Sequence, residues 1–288
     1  MADYLITGKK GAGKSLFAVG LIKDAMMQKK KVATNLDIDL EKLLPADSKL
    51  TLLRIPDRPT AGDMLSIGRG QDGVVEDENG ILVIDEAGTF LNARSWGDKA
   101  RQPLLDWLVH SRKYGWDTYF ICQGIEQLDK QMRTTLLEYR VNVTRTDKWP
   151  IPFVTPALRM LTGFDVRLPK MHIGTIRHGL DRDSLVIDRK IYRGSDLYAA
   201  YATQQVFLDR DNPGSCGLYS PLSAWHTKGR YLPKKKTLRD YLQAFINPPK
   251  PAPIPPKPKH PLIELLQCLP EDQRLKHFRR LDSLGAFV

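Results

Sequence analysis

"GKKGAGKS", residues 8–15, decides how this chain is read. It fits the pattern G-x-x-x-x-G-K-[ST]. Gly8, Gly11 and Gly13 let the backbone wrap tightly, so that successive N–H groups can face the β- and γ-phosphates of a nucleotide. Lys14 adds a cation against those oxygens, and Ser15 offers a hydroxyl to Mg²⁺. The surroundings agree with the motif. "DYLIT" (3–7) is a short apolar strand leading in, and "SLFAVGLIKDAMMQKK" (15–30) carries Leu16, Val19, Leu21, Ile22, Ala25 and Met26 at helical spacing. A helix starting at Ser15 adds its positive dipole end to the same spot. Gly8, Lys9, Lys10, Gly11, Ala12, Gly13, Lys14 and Ser15 are therefore expected to hold ATP. The plainer alternative is a glycine-rich turn without a ligand.

A phosphate loop needs an acid on a neighbouring strand. "ILVIDEAG" supplies Asp85 at the end of a continuous apolar run, the mark of a buried parallel strand. Asp85 is expected to hold Mg²⁺ through water, and Glu86 to orient and deprotonate an attacking water. That pairing points to hydrolysis rather than simple phosphoryl transfer to a small molecule. Gln123 ends the next strand, "WDTYFICQ", where an amide can sense the γ-phosphate or position the water, the plainer use being a satisfied polar residue at a sheet end. Arg133, Arg112 and Arg94 are candidates for an arginine finger reaching a neighbouring subunit, although surface ion pairs are the ordinary use of such residues.

The rest of residues 1–150 alternates in the α/β manner. "KVATN" (31–35), "LTLLRI" (50–55) and "RVNVTR" (140–145) read as strands; "RQPLLDWLVHSRKYG" (101–115) and "EQLDKQMRTTLLEY" (126–139) read as helices. Alternation of this kind predicts an α/β fold, a mainly parallel sheet sandwiched by helices. The pattern changes after residue 150. "KMHIGTIRHG" and "SLVIDRKIYRG" read as a hairpin joined by "LDRD", and "SDLYAAYATQQVF" (195–207) as a helix. The expected organisation is a P-loop NTPase core over 1–150, an accessory segment over 151–232 and a basic, proline-rich tail over 233–288. In that tail "PPKPAPIPPKPKHP" (248–261) reads as a polyproline spacer of about 40 Å at ~3.1 Å per residue.

Charge is divided unevenly. The chain of 288 residues carries a net +11, yet residues 1–150 hold 22 Lys+Arg against 21 Asp+Glu, and residues 151–288 hold 22 against 12. The second half is thus expected to face an anionic partner, single-stranded DNA or an anionic membrane surface. Tyr198, Tyr201, Phe207 and Tyr219 are candidates for base stacking, with packing as their commoner use. Three cysteines and six histidines show no metal-ligand spacing, so the histidines read as structural and Cys122 as inert core. A reduced, cytoplasmic compartment is expected. No signal peptide and no run of about 18 uncharged apolar residues is present. No Gly-x-Ser-x-Gly occurs, which leaves no serine-hydrolase elbow.

"GKKGAGKS", "VATNLDI", "LRIPDRP", "SIGRG", "LVIDEAGTFLNARSW", "RQPLLDWLVHSRKYGWD" and "LPKMHIGTIRHG" together closely resemble the zonular occludens toxin (Zot-like) family, to which the filamentous-bacteriophage gene I assembly proteins belong. The resemblance runs over residues 1–232. It implies a P-loop ATPase in the host inner membrane that drives assembly and extrusion of phage. It also implies partners: coat proteins, the single-stranded DNA-binding protein, the packaging signal of the DNA, the export channel and, in some systems, host thioredoxin. On the family's motifs Gly8–Ser15 map to the nucleotide loop, and Asp85 with Glu86 to the acidic motif. Better-known members continue from a basic stretch into a transmembrane helix. Here the basic stretch is present, but "LIELLQCLPEDQRLKHFRRL" (262–281) offers only short amphipathic pieces broken by Pro270. The expected location is therefore the cytoplasmic face of the inner membrane, reached through a partner or the basic tail. Three functions follow as expectations: an oligomeric ATP-hydrolysing motor, a nucleotide-gated scaffold for coat or DNA-binding proteins, and a soluble single-stranded DNA translocase.

Overall fold

A computed structural model describes residues 3–73, 75–92, 101–148, 169–181, 183–208, 212 and 215–233, with positions 270, 271 and 273 beyond them. The chain divides into two units, Met1–Leu232 and Pro233–Val288. The proline run, the 262–281 segment apart from those few positions, and Arg94 lie outside the described residues. Everything below concerns the first unit.

The strands are β1 (Asp3–Thr7), β2 (Val32–Thr34), β3 (Leu53–Arg54), β4 (Gly80–Ile84), β5 (Trp116–Ile121), β6 (Tyr139–Arg145), β7 (Met171–His178) and β8 (Val186–Arg193). They form one sheet in the order β3-β2-β4-β5-β1-β6-β7-β8. Strands β1 to β6 run parallel, and β7 and β8 add an antiparallel edge. The hairpin read from the second half thus continues the sheet of the core.

Alternation along the strands sorts side chains onto two faces. Ile6, Val83, Ile121, Val141, Val143 and Ile176 meet α1 (Lys14–Met27) on one face. Leu5, Leu82, Ile84 and Phe120 lie on the other, with buried residues of α3 (Ala61–Ser66), α4 (Arg101–Val109) and α5 (Lys130–Thr135). A short α2 (Leu40–Leu43) joins the α1 side. Helices on both faces of a mainly parallel sheet make this an α/β P-loop NTPase fold, with the loops after β1, β4 and β5 gathered at the C-terminal ends of their strands.

Three readings of the sequence change. Strand β3 is only two residues long, and Arg54 exchanges backbone hydrogen bonds with Tyr219 (2.7 and 3.0 Å), which covers the sheet's outer edge there. The stretch 126–139 is not one helix: a 3₁₀ turn, Ile125–Gln127, gives way at an extended Leu128 whose side chain is buried, and α5 begins after it. Residues 195–207 form only a 3₁₀ turn, Tyr198–Ala200. Here backbone bonds to the chain after β2 compete with helix: Asp39 N donates to Ala200 O (2.8 Å), and Tyr201 forms an antiparallel bridge with Ile38. Leu197 and Ala200 still reach the core. Among the described residues no helix is long and apolar enough to cross a membrane.

Candidate active site

Strand β1 ends at Thr7, almost wholly buried at 2 % exposure, and the chain turns at once. A Cβ on Gly8 would stand 2.7 Å from the Val143 carbonyl, so the close passage over β6 requires glycine there. Gly11 (φ 75°) and Gly13 (φ 89°) take left-handed conformations that a side chain disfavours. Ala12 N closes the turn on Lys9 O at 3.0 Å, and Phe17 N starts helix α1 on Gly13 O at 2.9 Å.

Side-chain donors hold the loop's carbonyls. Lys14 Nζ donates to Gly8 O (3.3 Å), Arg145 Nη1 to Gly11 O (3.1 Å) and His172 Nδ1 to Ala12 O (2.9 Å). The two ends of a peptide plane point opposite ways, so fixing the Ala12 carbonyl on His172 turns the Gly13 N–H to the other side. A carbonyl can only accept. His172 therefore carries its proton on Nδ1, and Nε2 accepts from the Tyr198 hydroxyl at 3.2 Å. Burial, at 1 % exposure, lowers the His172 pKa and keeps the ring neutral. Arg145 is steadied by Asp147 (3.0 and 2.5 Å).

The acidic turn faces this loop. Ser15 Oγ donates to Asp85 Oδ2 at 2.6 Å, joining the first residue after Lys14 to the end of β4. Asp85 Oδ1 accepts from the Glu86 N–H (2.7 Å). Asn35, just past β2, grips the same residue twice: it accepts from Asp85 N (2.7 Å) and donates to Asp85 O (3.0 Å). Gln205 in turn donates to Asn35 O at 2.8 Å, so the accessory segment reaches this turn as well. Asp85 is 5 % exposed, and burial pushes its pKa up, opposed by the Ser15 and Glu86 hydrogen bonds. Glu86 adopts φ 50°, ψ 33°, a left-handed conformation costing a non-glycine residue about 1–2 kcal/mol. Strain of this kind concentrates at functional turns. Here it swings the chain out of the sheet and leaves the Glu86 side chain half-buried beside the loop's partner acid.

The remaining candidates separate. Gln123 is exposed just past β5, its N–H bonded to Gln127 Oε1 (2.9 Å), and it lines a cavity with Gly8 and Lys9. Arg133 on α5 lines a different cavity with Gly88 and Gln127, and its buried Nε has no hydrogen-bond partner. The structure does not bring Arg112 to the loop. Its guanidinium pairs with Glu138 and lies 3.7 Å from Asp3, at the N-terminal ends of the strands, opposite the loop. Lys10 has no described partner in the site. Asn35, His172 and Arg145 were not singled out from the sequence as site residues, and they do most to shape the two turns. Asn35 had a signal, a polar residue closing a buried strand; His172 had none, because its partner Ala12 is 160 residues away.

Ser15 and Asp85 present hard oxygen donors to one point, a set that suits Mg²⁺, which keeps waters and substrate phosphates as its other ligands. No cluster of three or more His, Cys, Asp or Glu suited to a metal occurs among the described residues.

The family model described as zonular occludens toxin (Zot) matches residues 2–173. The Gene 1 protein of Enterobacteria phage M13 is 42 % identical over 255 residues, covering 85 % of this chain and 72 % of that protein. The Gene 1 protein of Escherichia phage If1 is 44 % identical over 239 residues, covering 82 % of this chain and 67 % of its own length. Among solved structures, the N-terminal domain of zonular occludens toxin from Neisseria meningitidis is similar with a TM-score of 0.40 and 22 % identity, covering 70 % of this chain and 98 % of that one. On the family model and the phage relatives, the chain belongs to the zonular occludens toxin (Zot) family.

Proposed function

We propose that this chain is an ATP-hydrolysing motor for the assembly and extrusion of filamentous phage, working as a homo-oligomer at the cytoplasmic face of the host inner membrane. The observation that carries the chemistry is the 2.6 Å contact between Ser15 at the loop and the buried Asp85, with Glu86 next in the chain. Kinship with the phage Gene 1 proteins supports the biological setting.

In this reading the N–H groups of Gly8–Ser15 and the Lys14 ammonium bind and orient the β- and γ-phosphates. The Ser15 hydroxyl and Asp85 would hold Mg²⁺, which when bound neutralises charge on phosphate oxygens. Burial raises the cost of an ionised Asp85, and a dication offsets that cost. The Glu86 carboxylate takes the proton of the attacking water, and Gln123 positions that water from the end of β5. Arg133 is the remaining described candidate for a finger toward a neighbouring subunit. Phage coat and single-stranded DNA-binding proteins, the export channel and single-stranded DNA are the proposed partners, with membrane contact through a partner or the basic tail.

The test is phage release from cells in which this chain is the only copy. Lys14→Ala and Glu86→Gln are both expected to stop release while the protein accumulates normally. Release sustained by Glu86→Gln, with ATP still bound, would show a nucleotide-gated scaffold instead of a motor.

A further inference from the structure

Beside the phosphate loop, on the sheet face away from α1, lies a cavity of about 490 Å³ lined by Gly8, Lys9, Gln123, Arg140, Asn142 and Arg177, with Thr7 at its base. The two arginines are direct cross-strand partners in the antiparallel pair β6–β7. Their neighbours in register, Val141 and Ile176, are buried against α1, so Arg140 and Arg177 stand together on the opposite face. Both are half-buried. Like charges directly opposite on a sheet repel, and half-burial strengthens the repulsion. Among the described residues no carboxylate lines the cavity and neither arginine has an ion-pair partner. Lys9 adds a third cation.

The fixed hydrogen bonds leave donors available. Arg140 gives Nε to Thr7 Oγ1 (3.2 Å) and Nη1 to Leu180 O (2.9 Å). Arg177 gives Nη1 to Ser184 O (2.8 Å). Each guanidinium is therefore held in place by neutral oxygens, with its Nη2 donors unassigned among the described residues. Two anchored planar forks, a lysine and the amides of Asn142 and Gln123 form a surface matched to tetrahedral oxyanions.

We infer that this cavity binds a phosphate group other than those held by Gly8–Ser15. The chemistry fits two sources, free inorganic phosphate or a phosphodiester of a nucleic-acid strand. The cavity shares Gly8 and Lys9 with the loop and Gln123 with the proposed water-positioning side of the site, so its occupant lies directly beside the loop. The inference builds on the proposed nucleotide site, but its test requires no turnover.

The experiment uses the full chain carrying Lys14→Ala, which blunts phosphate binding at the loop itself. Inorganic phosphate and, separately, an oligothymidylate are titrated into it by calorimetry. Adding Arg140→Gln with Arg177→Gln is expected to weaken phosphate binding about tenfold or more, through loss of charge-assisted bonds. If the natural source is a phosphodiester, the oligothymidylate weakens in parallel, and its log–log salt slope falls by about one. If the source is free phosphate, the oligothymidylate is unaffected. Arg177→Gln alone, and the charge-conserving Arg140→Lys with Arg177→Lys, guard against misfolding: the first is expected to show part of the loss, the second an intermediate one. Neither probe binding the Lys14→Ala chain would overturn the inference, as would equal phosphate affinity after both arginines are removed. In the Lys14-intact chain, loss of ATP binding in the double arginine variant would also overturn it, by making the cavity part of the nucleotide site.

Discussion

Gly13→Ala tests how the phosphate loop is shaped. Gly13 sits at φ 89°, and a methyl built there would overlap the His172 imidazole. Two costs follow. The left-handed conformation costs a residue with a Cβ about 1–2 kcal/mol. Forcing a methyl against a ring that is 1 % exposed adds about 1–3 kcal/mol of overpacking. Gly13→Ala is thus expected to destabilise the chain by about 2–5 kcal/mol. His172→Ala loses the bonds to Ala12 O and the Tyr198 hydroxyl, about 1–3 kcal/mol. In the double variant the methyl has room, so the overpacking cost is relieved while the backbone cost and the loss of the His172 bonds persist. The double-variant cycle should show a coupling of about 1–3 kcal/mol in the compensating direction. Urea denaturation gives the stabilities, and equilibrium binding of a fluorescent ATP analogue reports the loop. Strictly additive losses would refute the claim that His172 packs against Gly13 and sets the loop's shape.

Three further outcomes follow from buried groups. Asp3 is 3 % exposed, and burial lifts its pKa to about 7 against the opposing Arg112 charge. The folded chain therefore favours the protonated form. The stability contributed is complete below about pH 4, the unfolded value, and is lost as pH rises through about 7. Asp3→Asn should flatten urea stability over that window and raise it at pH 8 by up to about 4 kcal/mol at ~1.4 kcal/mol per unit; an unchanged pH slope would contradict this. Burial likewise pushes the Cys122 thiol up to about 12, so peptide-resolved alkylation at pH 8 should leave Cys122 unmodified in the native chain and label it in urea. Asn35→Ala strips both backbone partners from Asp85, and is expected to cost about 2 kcal/mol of stability and to lower ATP turnover more than ATP affinity.

The parts of this protein legible in the sequence were local. The loop declares itself through glycines at fixed spacing between a strand and a helix, and Asp85 through an apolar run that ends in acid. The β7–β8 hairpin was legible from two strand-like runs around "LDRD"; its junction with β6 was not, since nothing local encodes which edge a hairpin joins. Helix was over-read wherever a helical pattern met a competing partner. Residues 195–207 pair with the chain after β2, and Leu128 extends to reach the core. Arg112 shows a different limit. It precedes β5, and in a parallel sheet the start of a strand lies at the edge opposite the phosphate loop. Strand polarity thus decides its place more firmly than residue type does. His172 and Arg145 act on the loop only through long-range packing, which periodicity and motif spacing do not carry.

The central claim is that Gly8–Ser15, Asp85 and Glu86 form a hydrolytic ATP site. The most direct measurement is steady-state phosphate release by the purified chain with Mg²⁺ and ATP, beside ATP-analogue affinity, for the wild type, Lys14→Ala and Glu86→Gln. The account predicts turnover in the wild type, loss of binding in Lys14→Ala, and binding within about threefold of wild type in Glu86→Gln with turnover lowered at least ~100-fold, as loss of a general base entails. Wild-type turnover by Glu86→Gln, or no ATP binding by the unmodified chain, would contradict it.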